Sequence, residues 1–302
     1  MASLFTRYAL VTALLSMQPL LAVAEEASAW TASSNLSLVS DYYARGISLS
    51  WHQPTVQAGL DIAHTSGFYA GVWGSGVSQN TLVGASTELD IYAGVNGNFS
   101  QAAKLGYSLG VISYFYPGGS WRKYEGLALD LGKPSGGRFT TTELNAGLSY
   151  DWLSAKVFYT LSNWFGAERS TGWDGSTRGS VYLDINAAYP LPWQGWTLIG
   201  HLGHMDVSAQ LQPDGFPNAN GLPGTYKTNP DYNDWKLGLS KAFNIGSSEG
   251  WSAGVYWVGA SNRGYWGSYG GSSFNSAPNA NGEVQTKHLN DSRLLFTLSR
   301  AL

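Results

Sequence analysis

The chain has 302 residues, no cysteine and only 12% charged residues, whereas 14% of its residues are aromatic and 38 are glycine. A soluble domain carries about a quarter charged residues, and the net charge of −3 offers no basic surface for nucleic acid. No run of roughly 18 or more apolar residues occurs in the body of the chain, which excludes ordinary membrane-spanning helices. This combination favours a transmembrane β-barrel.

The first 24 residues predict a secretory signal peptide that is cleaved on export. A single base, Arg7, precedes a short apolar core, and Ala22-Val23-Ala24 has the small-x-small pattern of a cleavage site. A short anchoring helix is the alternative. Because one alternating pattern then continues to the end of the chain, residues 25–302 are expected to form a single domain.

Segments of alternating apolar and polar residues follow one another along this domain. In residues 56–77, two of them are separated by the pair Ser66-Gly67, as in two strands joined by a tight turn. The predicted strands are 30–42, 55–65, 68–77, 88–97, 107–116, 143–152, 155–165, 180–190, 196–207, 234–244, 251–261 and 292–302. Each is close to the about 9–11 residues that a tilted strand needs to cross a bilayer.

The connections between these strands alternate between short and long. The long ones, rich in Gly, Asn, Ser and Pro, are 43–54, 78–87, 117–142, 166–179, 208–233 and 262–291. Short periplasmic turns and long extracellular loops are typical of bacterial barrels, whose even strand number places both ends on one side. The predicted fold is therefore an all-β, antiparallel up-and-down barrel of about twelve strands.

The two faces of each strand differ in chemistry. The apolar face is expected to contact lipid, and the polar face to line a lumen; a soluble β-sandwich is the alternative. The pore-lining candidates are Asp61, Glu88, Asp90, Glu143, Asp184, Asp234, Lys236 and Arg293. Aromatic residues at segment ends are expected at the membrane interfaces, although they also suit a soluble β-core: Trp30, Tyr42, Tyr107, Trp152, Trp164, Trp196, Trp235 and Trp251.

Several stretches resemble a known family. "SDYYARGIS" (40–48), "QPTVQAGLDIAHTSGFYAGVWGS" (53–75), "ELDIYAG" (88–94), "ISYFYPGG" (112–119) and "DWKLGLS" (234–240) resemble the TorF-type putative porins of proteobacteria. The resemblance implies an outer-membrane barrel and brings no catalytic motif. Outer-membrane proteins commonly end in an aromatic residue that the barrel-assembly machinery reads, so the terminal Leu302 predicts a weaker assembly signal.

Two residues within the first of these stretches are candidates for the outer mouth. Arg45 follows "SDYY" and is expected to pair with Asp41 there. In a pore, this pair places a guanidinium at the entrance. The alternative is a structural salt bridge that folds the first long loop.

The predicted lumen carries more acids than bases, and rings of charge set selectivity in such pores. We therefore expect a narrow outer-membrane channel of a Gram-negative bacterium, surrounded by lipid and lipopolysaccharide, for passive diffusion of small polar solutes or ions with mild cation preference. The alternatives are a substrate-specific transporter whose lumen is plugged, for instance by residues 117–142, and a structural barrel.

An outer-membrane enzyme is the remaining alternative. A barrel phospholipase needs serine, histidine and asparagine on one outer wall. His201 and His204 lie three residues apart on one predicted strand and therefore face opposite sides, and the histidines show no metal-ligand spacing. The sequence accordingly predicts no catalytic site, no cofactor and no metal.

Overall fold

The computed structural model describes residues 28–99, 104–123, 137–211, 227–266 and 287–302. The predicted signal peptide, residues 1–24, lies outside the described residues. The strands are β1 (Trp30–Val39), β2 (Tyr43–Ala44), β3 (Ile47–Ser48), β4 (Thr55–His64), β5 (Phe68–Gly76), β6 (Thr87–Asn98), β7 (Leu105–Phe115), β8 (Thr141–Tyr150), β9 (Leu153–Thr160), β10 (Val181–Pro190), β11 (Trp196–Asp206), β12 (Tyr232–Ile245), β13 (Ser248–Ala260) and β14 (Arg293–Ala301).

Twelve of these strands, β1 and β4 to β14, form a closed antiparallel barrel. Strands that follow one another in the chain pair with each other, and β1 closes the barrel by pairing with both β14 and β4. Closure gives the backbone of every wall strand a partner on both sides and leaves no free edge. The predicted up-and-down barrel of about twelve strands is confirmed.

The barrel has two unlike ends. At the short-turn end, hairpin turns connect neighbouring strands, the two shortest being residues 151–152 and 246–247, and both β1 and β14 reach this end. The opposite end, here called the long-loop end, carries the long connections. Its described residues include four short helices: Trp121–Lys123, Trp164–Gly166, Arg169–Thr171 and Arg263–Trp266. Among the described residues, no helix is long and apolar enough to cross a membrane.

The pleat of the strands separates two surfaces. Along β4, Leu60 is 58% exposed whereas its neighbour Asp61 is 9% exposed. The same alternation runs around the wall, so that apolar side chains point outward and polar ones inward. Exposed apolar residues of the outer surface include Leu36, Val56, Ile62, Val72, Ile91, Leu109, Leu144, Leu183, Leu202, Leu237, Val255, Leu294 and Phe296. This apolar outer surface makes a soluble sandwich untenable.

A cluster of buried apolar side chains, here called the loop core, lies at the long-loop end. It contains five tryptophans, none more than 6% exposed, which is a large buried area for loops. Its largest members are Trp51, Tyr116, Trp121, Phe139, Phe158, Trp164, Trp173, Tyr182, Met205, Tyr232 and Trp266. The described parts of the loops at this end are thus packed against each other and against inward residues of the wall.

Two aromatic predictions are wrong because strands end earlier than the alternation suggests. The predicted strand 155–165 stops at Thr160 as β9, and Trp164 begins a short helix and is 5% exposed in the loop core. Tyr42 lies beyond the end of β1 and packs against Trp73 with 5.5 Å between ring centroids. Neither residue lies on the outer surface, where Trp30 is 53% exposed.

Candidate functional site: the lumen and its inward hairpin

The first long connection folds into the barrel instead of away from it. Strands β2 and β3 form a hairpin, here called the lumen hairpin (residues 43–48), whose two turn residues are Arg45 and Gly46. Both have positive φ, 47° and 75°, as a type I′ turn requires. Gly46 touches the wall at β12 and β13: an added Cβ would lie 2.4 Å from Cβ of Asp234 and 2.8 Å from the oxygen of Gly259.

The base of the lumen hairpin is held by Asp41. Its carboxylate accepts hydrogen bonds from the hydroxyls of Ser48 at 2.6 Å and Ser50 at 2.8 Å, and it lies 2.6 Å from Nδ1 of His52. The predicted pairing of Asp41 with Arg45 is wrong, because the loop itself supplies the partners of Asp41. The hairpin carries Arg45 away from Asp41 and into the lumen.

Arg45 reaches the far wall of the barrel. Its guanidinium donates two hydrogen bonds to Glu143, at 2.9 Å to Oε1 and 2.6 Å to Oε2. The guanidinium carbon lies 4.2 Å from the ring centroid of Tyr182 and 5.0 Å from that of Phe158, and Tyr114 donates to Glu143 at 3.1 Å. These four wall residues, Tyr114, Glu143, Phe158 and Tyr182, are called the arginine cage below.

A polar network extends from the cage across three strands. The hydroxyl of Tyr182 donates to Asp234 at 3.0 Å, and Nε2 of His201 lies 2.6 Å from the same carboxylate. The other ring nitrogen of His201 is 3.0 Å from oxygens of both Asn186 and Asp184. His201 thus bridges two predicted pore-lining carboxylates.

Sequence reasoning did not single out His201 as a lumen residue. Its side chain does face opposite to that of His204, which is exposed, as the strand spacing predicts. The available signal was strand parity: His201 shares its inward face with Gly203 and is the cross-strand neighbour of Asn186 and Lys236.

Glu88 and Asp90 lie side by side on the inward face of β6. Tyr116 donates a hydrogen bond to Oε1 of Glu88 at 2.9 Å. Oε2 of Glu88 and Oδ1 of Asp90 have no hydrogen-bond partner of good geometry among the described residues, although the two side chains are buried. A buried carboxylate oxygen without a donor is costly. The neighbouring carboxyl groups of Glu88 and Asp90 reduce this cost by hydrogen bonding to each other, which requires a proton shared between them.

The remaining pore-lining candidates occupy other heights of the barrel. Asp61 accepts a 2.6 Å hydrogen bond from Tyr92 nearer the short-turn end. Lys236 faces inward with Nζ 5.7 Å from the ring of Tyr256, and Lys156 faces Asp184 on the neighbouring strand. Arg293 is exposed at the start of β14, at the long-loop rim.

The described segment inside the lumen is the lumen hairpin. Residues 117–142, the candidate plug suggested by the sequence, stay a prediction. Within 117–142, residues 124–136 lie outside the described residues, while Trp121 and Phe139 pack in the loop core. In the part of the chain that the structure describes, no group of three or more acidic or histidine side chains is arranged to hold a metal.

A closed barrel with an apolar outer surface and a polar interior is a porin-like architecture. Residues 23–280 match the family model described as "Bacterial protein of unknown function (Gcw_chp)", and the chain belongs to this family. The TorF-type assignment made from the sequence stays a prediction. A search of proteins with curated functions finds no match.

Solved structures with a similar course of the chain are outer-membrane porins. The KdgM porin is 10% identical, with 89% of this chain and 98% of that chain covered and a TM-score of 0.42. The NanC porin is 8% identical over 90% and 98%, with a TM-score of 0.46. OccD3 (OpdP) of Pseudomonas aeruginosa is 10% identical over 92% and 67%, with a TM-score of 0.37. The fold assignment rests on the strand pairing and not on these scores.

Proposed function

We propose that the protein forms a passage for small polar solutes or ions across the outer membrane, with a preference for cations. The observation that supports this most is the charge of the inward face. Among the described residues, six strand carboxylates point inward, against the bases Arg45, Lys156 and Lys236 inside and Arg293 at the rim. The six are Asp61, Glu88, Asp90, Glu143, Asp184 and Asp234. An excess of lumen carboxylates favours cations.

The apolar outer surface supports the proposed membrane placement. Wall strands of 8 to 14 residues with outward apolar side chains match the length needed to cross a bilayer at a tilt. With the predicted signal peptide of residues 1–24, this supports export to the outer membrane, short turns facing the periplasm, and lipid and lipopolysaccharide as surroundings. The barrel-assembly machinery would then insert the chain.

The passage is proposed to be closed at rest. The lumen hairpin spans the lumen from β1 to the cage on β7 to β10, and Glu143, Tyr182 and Asp234 around it are at most 2% exposed. This arrangement favours the substrate-specific or gated alternative over a permanently open general pore. A twelve-stranded barrel is narrow enough for one inward hairpin to block it.

Conductance in a planar bilayer tests the proposal directly. Folded protein without residues 1–24 is inserted with a salt gradient across the membrane, and currents are recorded at stepped voltages. Discrete openings with a reversal potential of the sign expected for cations support it. An anion-selective reversal potential would overturn the charge argument.

Uptake into protein-containing liposomes separates the remaining alternatives. Entry of small polar solutes that saturates with concentration is expected for a gated, specific passage, and entry that rises linearly is expected for an open pore. If protein shown to be folded gives no current and no uptake, the passage is refuted and a structural barrel remains.

A further inference from the structure

The arginine cage is built entirely by the barrel wall. Its members come from four consecutive strands, β7 to β10, whereas the cation that it holds comes from a loop 98 residues away in sequence from Glu143. Such a division resembles a binding site and its occupant. The cage keeps its shape through wall contacts that do not involve Arg45, such as the Tyr114–Glu143 hydrogen bond of 3.1 Å.

The chemistry of the cage fits a planar cation. The carboxylate of Glu143 accepts both parallel N–H groups of the guanidinium, a geometry that an ammonium group lacks. The rings of Tyr182, Phe158 and Tyr114 lie within 4.2, 5.0 and 5.9 Å of the guanidinium carbon. Aromatic faces at these distances attract a desolvated cation. A neutral planar group such as a urea can donate two N–H groups but lacks the charge that strengthens both interactions, and an anionic group is repelled by Glu143.

The backbone indicates that the Arg45 side chain determines this position. Arg45 is the first turn residue of the hairpin and has a φ of 47°, in the left-handed region where Asn or Gly is favoured in such turns. The strained conformation is retained because the side chain is anchored in the cage. The hairpin strands themselves have only two residues each. The contacts of Arg45 with the cage therefore contribute much of the stability of the hairpin in this position.

A second observation extends the site. Oε2 of Glu88 and Oδ1 of Asp90 lack hydrogen-bond partners among the described residues, and their side chains are only 1% and 5% exposed. Both carboxylates lie within electrostatic reach of Arg45, and Asp90 also of Glu143. The wall beside the cage therefore carries two buried acidic side chains, each with one oxygen that has no donor among the described residues.

We propose that the arginine cage is a binding site for the guanidinium group of a cationic solute, and that Arg45 is a tethered occupant which such a solute displaces. The inference rests on the proposed function, because it names the class of solute for the same lumen. Glu88 and Asp90 would receive a second positive group of the solute. Displacement would free the lumen hairpin and open the long-loop half.

The experiment empties the cage and offers a free guanidinium. Arg45→Ala, folded in detergent without residues 1–24, is titrated with ethylguanidinium at millimolar concentrations while its thermal unfolding midpoint is followed. The midpoint is expected to rise and saturate, since a ligand that binds only the folded state stabilises it. Arg45→Ala with neutral N-ethylurea is expected to show no saturable rise. The wild-type protein is expected to respond only at higher ethylguanidinium concentrations, because the solute must first displace the tethered Arg45.

Glu143→Gln in the Arg45→Ala background supplies the matched control. It retains the shape of the cage but removes the charge, and the apparent affinity for ethylguanidinium is expected to fall about tenfold or more. An equal rise in the single and double variants, or no rise in Arg45→Ala, would overturn the proposal. Neither titration requires conduction, so the two proposals can fail separately. If the unfolding midpoint rises with ethylguanidinium but bilayer recording shows no current, the passage is refuted and the binding site in the arginine cage is supported.

The proposal can still be tested if Arg45→Ala does not fold on its own. If Arg45→Ala folds only when ethylguanidinium is present during refolding, the cage proposal is supported. If it folds in neither condition, Arg45→Gln, which retains most of the side-chain volume without the charge, replaces it in the same titration. A saturable midpoint rise there supports the proposal, and no rise overturns it.

Discussion

The two halves of the lumen are built by the same strands but differ in what fills them. In the long-loop half, inward side chains such as Glu88, Glu143 and Asp234 are at most 2% exposed. In the short-turn half, inward residues on the same strands, among them Asn145 on β8 and Lys236 on β12, are partly exposed. The wall is polar in both halves.

Closure is therefore not a property of the wall. Strand alternation places polar groups inward from end to end, and those of the long-loop half are buried because the lumen hairpin and the loop core pack there. A substitution that displaces the lumen hairpin should therefore open the long-loop half of the lumen. The following experiments alter one half and use the other as the control.

The largest effect is expected from Arg45→Ala. It removes the anchor of the lumen hairpin and leaves Glu143 buried without its cation, which costs about 3–5 kcal/mol of unfolding free energy. Single-channel conductance is expected to rise several-fold above that of the wild type in the same bilayer. The measurement combines bilayer recording with urea unfolding in detergent micelles.

The matched control for this arginine is Arg300→Ala at the short-turn end. Arg300 lies 5.5 Å above the ring of Trp251 and makes no ion pair among the described residues. Its removal should change unfolding free energy by less than about 1 kcal/mol and leave conductance unaltered. Equal conductance increases in both variants would show that the hairpin does not close the lumen.

Gly46→Ala should have the next largest effect. The new Cβ meets Asp234 and Gly259 within 2.4 to 2.8 Å, and the residue keeps a positive φ of 75°. Strain and overpacking together are expected to lower the unfolding free energy by about 2–4 kcal/mol. The hairpin should shift from the wall and give a conductance between those of the wild type and Arg45→Ala.

Gly246→Ala is its counterpart at the short-turn end. Gly246 also has a positive φ, 60°, but nothing lies within 4 Å of an added Cβ. Only the backbone cost of about 1–2 kcal/mol is expected, with no change in conductance. If the two glycine variants unfold at the same urea concentration, the contact of Gly46 with the wall contributes nothing to hairpin placement.

Glu88→Gln combined with Asp90→Asn tests which half sets selectivity. In the long-loop half, which the lumen hairpin fills, removing both acidic groups should reduce the cation preference, measured from the reversal potential, by roughly twofold or more. Asp61→Asn, in the short-turn half, should change it less. A larger shift with Asp61→Asn would move the selective region to the short-turn half.

The barrel was predictable from sequence because a strand's period of two is a local property. Val56 to Asp61 show the two faces within six residues. Strand ends were less predictable: after Thr160, alternation continues in the sequence, yet tertiary packing draws Trp164 into the loop core. Tertiary contacts override local pattern at such points.

The cage was not predictable in the same way. All its wall residues lie at inward positions that parity identifies, and Glu143 was a lumen candidate. The sequence did not identify Arg45 as the partner of Glu143, because the distance between the two residues depends on barrel closure and on the direction in which a loop folds. The turn pair Arg45-Gly46 gave no clear hairpin signal either, since such turns favour Asn or Gly where Arg45 stands.

The smallest effect is expected at the surface of the long-loop end, where Lys227 lies 2.8 Å from Oδ2 of Asp174. The Lys227 hydrogen bond, with the backbone N–H of Gln210, lowers the pKa of Asp174. A lowered pKa in the folded state adds stability above the ordinary value of about 3.9, and this is lost as the pH falls through the lower folded value. Because both groups are partly exposed and screened, Lys227→Ala should cost less than about 1 kcal/mol at pH 7.

The loss of unfolding free energy in Lys227→Ala should therefore shrink toward zero when urea unfolding is repeated at a pH below the lowered pKa of Asp174. The loss in Gly46→Ala should persist, because a steric contact does not titrate. Conductance should not change in Lys227→Ala, since the pair lies in the loops and touches neither the cage nor the lumen hairpin. A conductance increase comparable to that of Arg45→Ala would place the closure of the long-loop half in its surface loops instead of in the hairpin that crosses the lumen.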